Sequence, residues 1–323
     1  MERRRYRNLG TFFRRLFGQR VHKVGLWAGF TCPNRDGTLS RRGCSFCNPD
    51  SSRPASLQRG TTLQQQFDRG RDFVSRRFGA SAFLPYIQDY TATYGEIDSL
   101  RRIYRYVLDM PNVVGMALCT RPDCLPEPVL DLLQELSEDN FIWVEVGVQT
   151  FDGTILEDMN RCHSGDDSLR ALENLSERGI PSAAHMILGY PGQTPELAAS
   201  DARRLSEAGT LGVKLHNFHV VSGTEMNTRH LQNGFHLPSR DEYVEAALAF
   251  LKNLHSRTVV LRLCGDAPEE LTIAPEWSLD KNRTLSKLRC RLESRKIWQG
   301  MSLDCPISDL DRLPEWAFQL KEG

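Results

Sequence analysis

The stretch WAGFTCPNRDGTLSRRGCSFCN (27–48) gathers three cysteines, Cys32, Cys44 and Cys47, directly after a short apolar run. Eleven residues separate the first two and two separate the last pair. Pro33, Asn34, Asp36 and Gly37 are turn formers, so the cysteines lie on a loop. Three thiolates without a fourth nearby predict a metal centre with one open position: a [4Fe–4S] cluster whose fourth iron takes a small molecule. A structural zinc in a non-catalytic binding module is the competing reading, and it needs four ligands. Cys119, Cys124 or His22 would have to supply the fourth, and none has the local spacing of a zinc pair.

Outward from this loop the chain alternates. Strands are expected at 23–30, 83–91, 113–120, 141–150, 180–191 and 212–221, and helices at 63–78, 96–110, 126–139, 168–179 and 195–209. Strand and helix in turn with short connections give right-handed βαβ units and a parallel sheet. Six strands are too few for a closed eight-stranded barrel. The expected fold is α/β, a partial (β/α)6 TIM-type barrel whose site lies on loops at the strand C-termini. Residues 1–20 are expected to be a basic helix, with Leu9, Phe12, Phe13, Leu16 and Phe17 at helical spacing. Residues 21–235 form the barrel core. Residues 236–323 form an α+β extension beside the open edge or over the mouth, with a helix at 239–254, a strand at 258–265 and a helix near 280–296.

Basic and acidic residues balance at 41 each, so the whole chain has no electrostatic bias toward nucleic acid. Two basic runs stand out, among the first twenty residues and between Lys281 and Lys296. Each is expected to be a solvated helix face, with an RNA- or phosphate-holding rim as the sharper alternative. No apolar run approaches membrane-span length. Nine cysteines, an odd number, with no apolar secretory stretch at the start, point to thiols in the cytoplasm rather than to a disulfide framework.

Several phrases carry a more specific likeness: GFTCPNRDGT (29–38), GCSFCN (43–48), TRPDCLP (120–126), VGVQT (146–150), ILGYPGQT (187–194) and KLHNFHVVSGT (214–224). Together with the cysteine spacing they resemble the radical S-adenosylmethionine (SAM) superfamily. The likeness is to its elongator-subunit-like group, and within that to the uncharacterised bacterial YhcC-like family. The resemblance implies a [4Fe–4S] cluster on Cys32, Cys44 and Cys47, with SAM on the open iron. It implies reductive cleavage of SAM to a 5′-deoxyadenosyl radical, acting on a substrate the sequence does not name. It also implies an external reductant such as flavodoxin or ferredoxin. Elongator-type relatives act on transfer RNA, so RNA modification is one branch for the substrate.

Residue by residue, the likeness puts Phe46 near the adenine. Gln88 and Thr91 are the candidates for the SAM amino group, in a QDYTATYG segment that departs from the Gly-rich pattern of relatives. Gln149 and Arg161 match a SAM-contacting pair, the arginine suiting a carboxylate. His185 stands where related enzymes carry a SAM-contacting aspartate. Relatives continue Arg-Gly-His where this chain has Arg161-Cys162-His163, and His163 is expected on the surface. Strand alternation places Glu145 inside the barrel, to meet ribose hydroxyls or a lysine. Lys214 and His216 share a face of the sixth strand.

Overall fold

Seven parallel strands form one curled half-barrel sheet in the order β1–β2–β3–β4–β5–β6–β8. They are β1 (Val21–Leu26), β2 (Ala82–Ile87), β3 (Gly115–Thr120), β4 (Phe141–Gln149), β5 (Ser182–Leu188), β6 (Gly212–Asn217) and β8 (Val259–Arg262). The structure is a computed structural model and describes residues 4–48, 60–232, 234–266 and 268–317. The first three residues of the N-terminal segment and the last six of the C-terminal extension lie outside the described residues. No helix among the described residues is long and apolar enough to cross a membrane.

The α-helices among the described residues are α1 (Leu9–Phe17), α2 (Pro33–Asp36), α3 (Leu63–Phe78), α4 (Ile97–Leu108), α5 (Glu127–Ser137), α6 (Gly153–Asp158), α7 (Gly165–Glu177), α8 (Pro195–Glu207), α9 (Glu225–Gln232), α10 (Arg240–Lys252) and α11 (Lys281–Ser294). Local chemistry sets their ends. Thr62 and Gln65 make a reciprocal capping box on α3, and Ser164 with Asp167 does the same on α7. Gly18 and Gly79 close α1 and α3 in the left-handed conformation.

Two strand expectations change. The run at 212–221 divides: β6 stops at Asn217, and β7 (Val220–Val221) leaves the sheet to pair antiparallel with β9 (Thr272–Ala274). The strand assigned to the C-terminal extension joins the half-barrel as β8, parallel to β6, so the sheet has seven strands rather than six. The chain before α1 then covers that edge. Asn8 bridges to Val260, and the Val260 amide donates to the Arg7 carbonyl at 2.7 Å. Covering an edge strand blocks pairing with another chain.

The outer face of the sheet and its helices share one continuous apolar core. A second cluster fills the inside of the barrel at the strand starts, where Phe12, Phe13 and Leu16 of α1 meet Val21, Ala82, Ala117, Trp143, Ala183 and Val259. The N-terminal helix thus plugs the bottom of the half-barrel and leaves the C-terminal ends open.

The basic runs are largely occupied. Arg7 is buried and donates through Nε to the Ser256 carbonyl at 2.8 Å, so it is a structural cation rather than part of a solvated face. On α11, Lys287 and Arg291 pair with Asp241, and Arg291 and Arg295 pair with Glu245, all across the seam to α10. Exposed pairs of this kind each contribute little to stability.

Candidate functional site

The cysteine loop is held from both sides as it leaves β1. Gln66 of α3 clamps Trp27, accepting from its amide at 2.8 Å and donating to its carbonyl at 3.1 Å. Asp89, just past β2, accepts from the amides of Gly29 and Phe30 at 2.7 and 2.8 Å. Cys32 then caps α2 through its carbonyl, which accepts from Arg35 and Asp36 at 2.8 and 3.0 Å. Further on, the Ser45 amide donates to the Met159 carbonyl at 2.9 Å, and Asn160 donates to the Gly43 carbonyl at 2.6 Å. The loop is therefore docked against the segment after β4.

Cys44 is buried and receives two donors. Arg161 Nη1 lies 3.2 Å from its sulfur and Asn34 Nδ2 lies 3.4 Å away. Burial alone would raise the thiol; the Arg161 charge and these hydrogen bonds outweigh it and bring Cys44 below its ordinary value. Burial and the neighbouring Cys44 push the Cys47 thiol up to about 11. A second guanidinium faces the loop. Arg121 is locked by Asp123 at 2.9 and 3.0 Å and donates to the Arg161 carbonyl at 2.6 Å. Burial works against its charge, and Asp123, Cys32 and Cys44 more than offset that. Its Nη1 is buried with no hydrogen-bond partner among the described residues.

Arg161 has its donor nitrogens engaged within the protein. Nη2 donates to the Gly147 carbonyl at 2.6 Å and Nε to His163 Nε2 at 3.1 Å. His163 is buried, not on the surface as expected: burial and Arg161 push it down to about 3, so it is a neutral acceptor. The turn between them keeps its shape without glycine, since Cys162 adopts φ 56°, the left-handed region. Gly147 is small for a reason visible here. A Cβ would stand 3.0 Å from Gln149 Nε2 and 3.3 Å from Arg161 Nη2.

Inside the barrel, one layer above the plug, Glu145 is fully buried and ion-paired to Lys23 and to Lys214, the latter at 2.9 Å. Tyr86 donates to it at 2.8 Å and His185 Nε2 also meets it. Burial would raise this carboxyl; Lys214 and Lys23, then His185, hold it well below the usual carboxylate range. Burial and Lys214 push His185 down to about 4, and burial lowers Lys214 to about 8. Above this layer opens a cavity of about 430 Å³. Phe46, Cys47, Gln88 and Gln149 line it on the side of the cysteine loop and β2–β4; His185, Lys214, His216 and Arg262 line the rest. Gln149 reaches it through a register shift between Val146 and Gln149 and a φ of 72°, a bulge that re-aims the side chain.

The residues singled out from sequence therefore divide. Phe46, Gln88, Gln149 and His185 share the cavity with Cys47. Thr91 is fully buried, its hydroxyl without a partner among the described residues, and it is not part of the cavity wall. Arg161 also lies outside the wall and serves Cys44. Of the two roles open to Glu145, the structure has the lysine pair. Asp89, Gln66, Arg121 and Lys23 were not singled out as site residues. Asp89 and Arg121 lie inside the QDYTATYG and TRPDCLP segments, and Lys23 is the third residue of β1, the strand before the cysteines.

No group of three or more His, Cys, Asp or Glu side chains among the described residues is assembled to hold a metal ion. The thiols are neighbours without forming a closed cage. Their chemistry still fits a thiolate-ligated cluster: sulfur with N–H donors aimed at it, and a buried Arg121 nitrogen lacking a partner beside Cys32 and Cys44. All nine cysteines are free thiols.

The sequence pattern of the Radical SAM superfamily matches residues 40–205, and that of the Radical_SAM C-terminal domain matches 210–294. The uncharacterized protein YtqA of Bacillus subtilis is 33% identical over 92% of this chain and 92% of its own length. Protein YhcC of Escherichia coli is 32% identical over 90% of this chain and 93% of its own. A tRNA uridine(34) acetyltransferase of Methanocaldococcus jannaschii is 27% identical over 49% of this chain and 30% of its own length. Among solved structures, the archaeal Methanocaldococcus infernus Elp3 superposes with a TM-score of 0.65 at 17% identity, covering 86% of this chain and 64% of that one. That likeness concerns the fold.

Proposed function

Because the chain belongs to the radical SAM superfamily, we propose that it is a radical SAM enzyme whose Cys32, Cys44 and Cys47 hold a [4Fe–4S] cluster and whose adjoining cavity takes SAM. When bound, the reduced cluster supplies the electron that cleaves SAM to methionine and a 5′-deoxyadenosyl radical able to take a hydrogen atom from a substrate. The observation that carries the reading is the surroundings of Cys44. Arg161 and Asn34 donate to its sulfur, and Arg121 faces it with a free buried nitrogen. Cys47, three residues on, opens onto a cavity of ligand size.

In this proposal Phe46 packs on the nucleobase, while Gln88 and Gln149 offer amides to the polar end of SAM. Arg161 orients Cys44 and stabilises its thiolate instead of meeting the SAM carboxylate. His185 and Glu145 set the charge of the cavity floor. Thr91 supports, from behind the wall, the segment that carries Gln88. A low-potential protein reductant such as flavodoxin or ferredoxin delivers the electron. Nine free thiols support a reducing, cytoplasmic setting. For the substrate, partial similarity to tRNA uridine(34) acetyltransferases supports transfer RNA modification. The paired state of the α11 basic residues places less weight on that helix as an RNA surface.

Anaerobic reconstitution with iron and sulfide tests the cluster directly. The wild type should bind about four irons per chain with visible charge-transfer absorption, and Cys44→Ser should fall to background. A second reading, structural zinc, draws on Cys124, whose thiol is near enough to Cys32 to be raised by its charge, after burial and Asp123. One zinc per chain with no colour after reconstitution would favour it.

A further inference from the structure

We propose that the part of the cavity wall formed by β6 and β8 is a subsite for an oxyanion carried by the substrate, a carboxylate or phosphate, held by Lys214 and Arg262. This rests on reading the cavity as the active site. Lys214 and Arg262 are register partners on adjacent strands, and both line the cavity. They stand far along the sheet order from β1, the strand that leads into the cysteine loop.

The charge count inside the barrel does not close. Lys23, Lys214 and Arg262 face one another around a single carboxylate, Glu145. Asp266, at the cavity rim, is the main opposite charge acting on Arg262, but it is exposed and shared with Lys281 at 2.8 Å. The remaining titratable neighbours are neutral near pH 7. Burial raises Tyr86 and Cys119, and burial lowers His185 and His216. Buried charges are ordinarily matched, because leaving one unmatched costs several kcal/mol. Three cations on one carboxylate therefore leave a site with net positive charge that an anion would complete.

The geometry offers the donors. Arg262 Nη2 is buried with no hydrogen-bond partner among the described residues, and Nε makes only a 3.4 Å contact to the Leu215 carbonyl. A planar guanidinium whose Nη2 has no partner among the described residues suits the two oxygens of a carboxylate or phosphate. Lys214, which lines the cavity, is 3.1 Å from the Tyr86 hydroxyl and 2.9 Å from Glu145, two acceptors for the three donors of an ammonium. Placing the substrate's charge there would leave the part of the cavity beside Phe46 and Cys47 for the cofactor.

The test uses the full chain in calorimetric titrations at constant ionic strength, with inorganic phosphate in one arm and acetate in the other. At least one should bind saturably to the wild type, and the tighter of the two names the chemical class. Arg262→Met and Lys214→Met should each weaken that binding about tenfold or more. Arg262→Lys, which keeps the charge, should weaken it less, and Arg283→Met on α11 should leave it unchanged. Circular dichroism of each variant separates loss of the site from loss of the fold. No saturable binding of either anion, or equal binding in folded Arg262→Met and Lys214→Met, would overturn the proposal. So would displacement of the anion by SAM in the reconstituted protein, since the site would then belong to the cofactor's own carboxylate. Anion binding needs neither iron nor SAM turnover, so failure here and failure of the enzyme assignment are distinguishable.

Discussion

Replacing Glu145 with Gln tests the charge layer at the centre of the half-barrel. The substitution keeps size and shape, so the change is electrostatic. It removes the one carboxylate between Lys23 and Lys214 and turns an amide toward groups that are themselves donors. Breaking a buried pair from one side costs about 3–5 kcal/mol. Unfolding entropy near the melting point is about 2.1 cal/mol/K per residue, or about 0.7 kcal/mol/K for a chain of 323 residues. The expected fall in melting temperature is therefore about 4–7 °C. Calorimetry on wild type, Glu145→Gln, Lys214→Met and the double variant measures it. The cycle should show a coupling of at least about 1 kcal/mol, because the two side chains touch. A fall below about 1 °C, or strict additivity, would refute the claim that this layer is a mutually dependent charge network.

Asp89→Ala should cost about 2 kcal/mol, since it frees two amides but also relieves a buried carboxyl; hydrogen exchange at Gly29 and Phe30 should accelerate, and unchanged protection would count against Asp89 as the anchor of the loop. Cys124→Ser should retain full iron content, because the proposed cluster needs only Cys32, Cys44 and Cys47; loss of the metal would point to a four-ligand site. Stability should fall as pH drops from about 6.5 toward 4, because His185, held down to about 4, stays neutral in the folded chain while the unfolded chain takes up the proton. Glu145, also depressed, adds to the loss only at still lower pH, whereas Asp201, pushed up to about 6 by burial, opposes it between pH 6 and 4. Thermal scans at pH 6.5 and 4.5 should show a smaller difference in His185→Asn than in wild type; an equal difference would contradict the assignment.

The alternation of helix and strand was legible because each element is set by local periodicity. The cysteine loop was legible because its three cysteines are close in sequence. What escaped depends on distant partners. The strand of β8 is short, Val259–Arg262, and nothing in it announces that Val259 will pair in parallel with Gly212, 47 residues earlier. Lys23 reads as an ordinary strand lysine until β4 brings Glu145 opposite it. Arg161 carries the spacing of a SAM-contacting arginine; its partners within the protein, Cys44, Gly147 and His163, are fixed by how the segment after β4 folds back on the loop. His163 looked superficial because the replaced glycine suggested a changed turn, whereas Cys162 accepts the left-handed conformation and keeps it.

The central claim, radical cleavage of SAM at the cysteine loop, is tested most directly by quantifying 5′-deoxyadenosine. Anaerobically reconstituted protein is incubated with SAM and a strong reductant and compared with the Cys32→Ala, Cys44→Ala and Cys47→Ala variants. The account predicts formation of 5′-deoxyadenosine by the wild type and its loss to background in each variant. Undiminished product from any of the three variants, or none from a wild type that holds its full complement of iron, would contradict it.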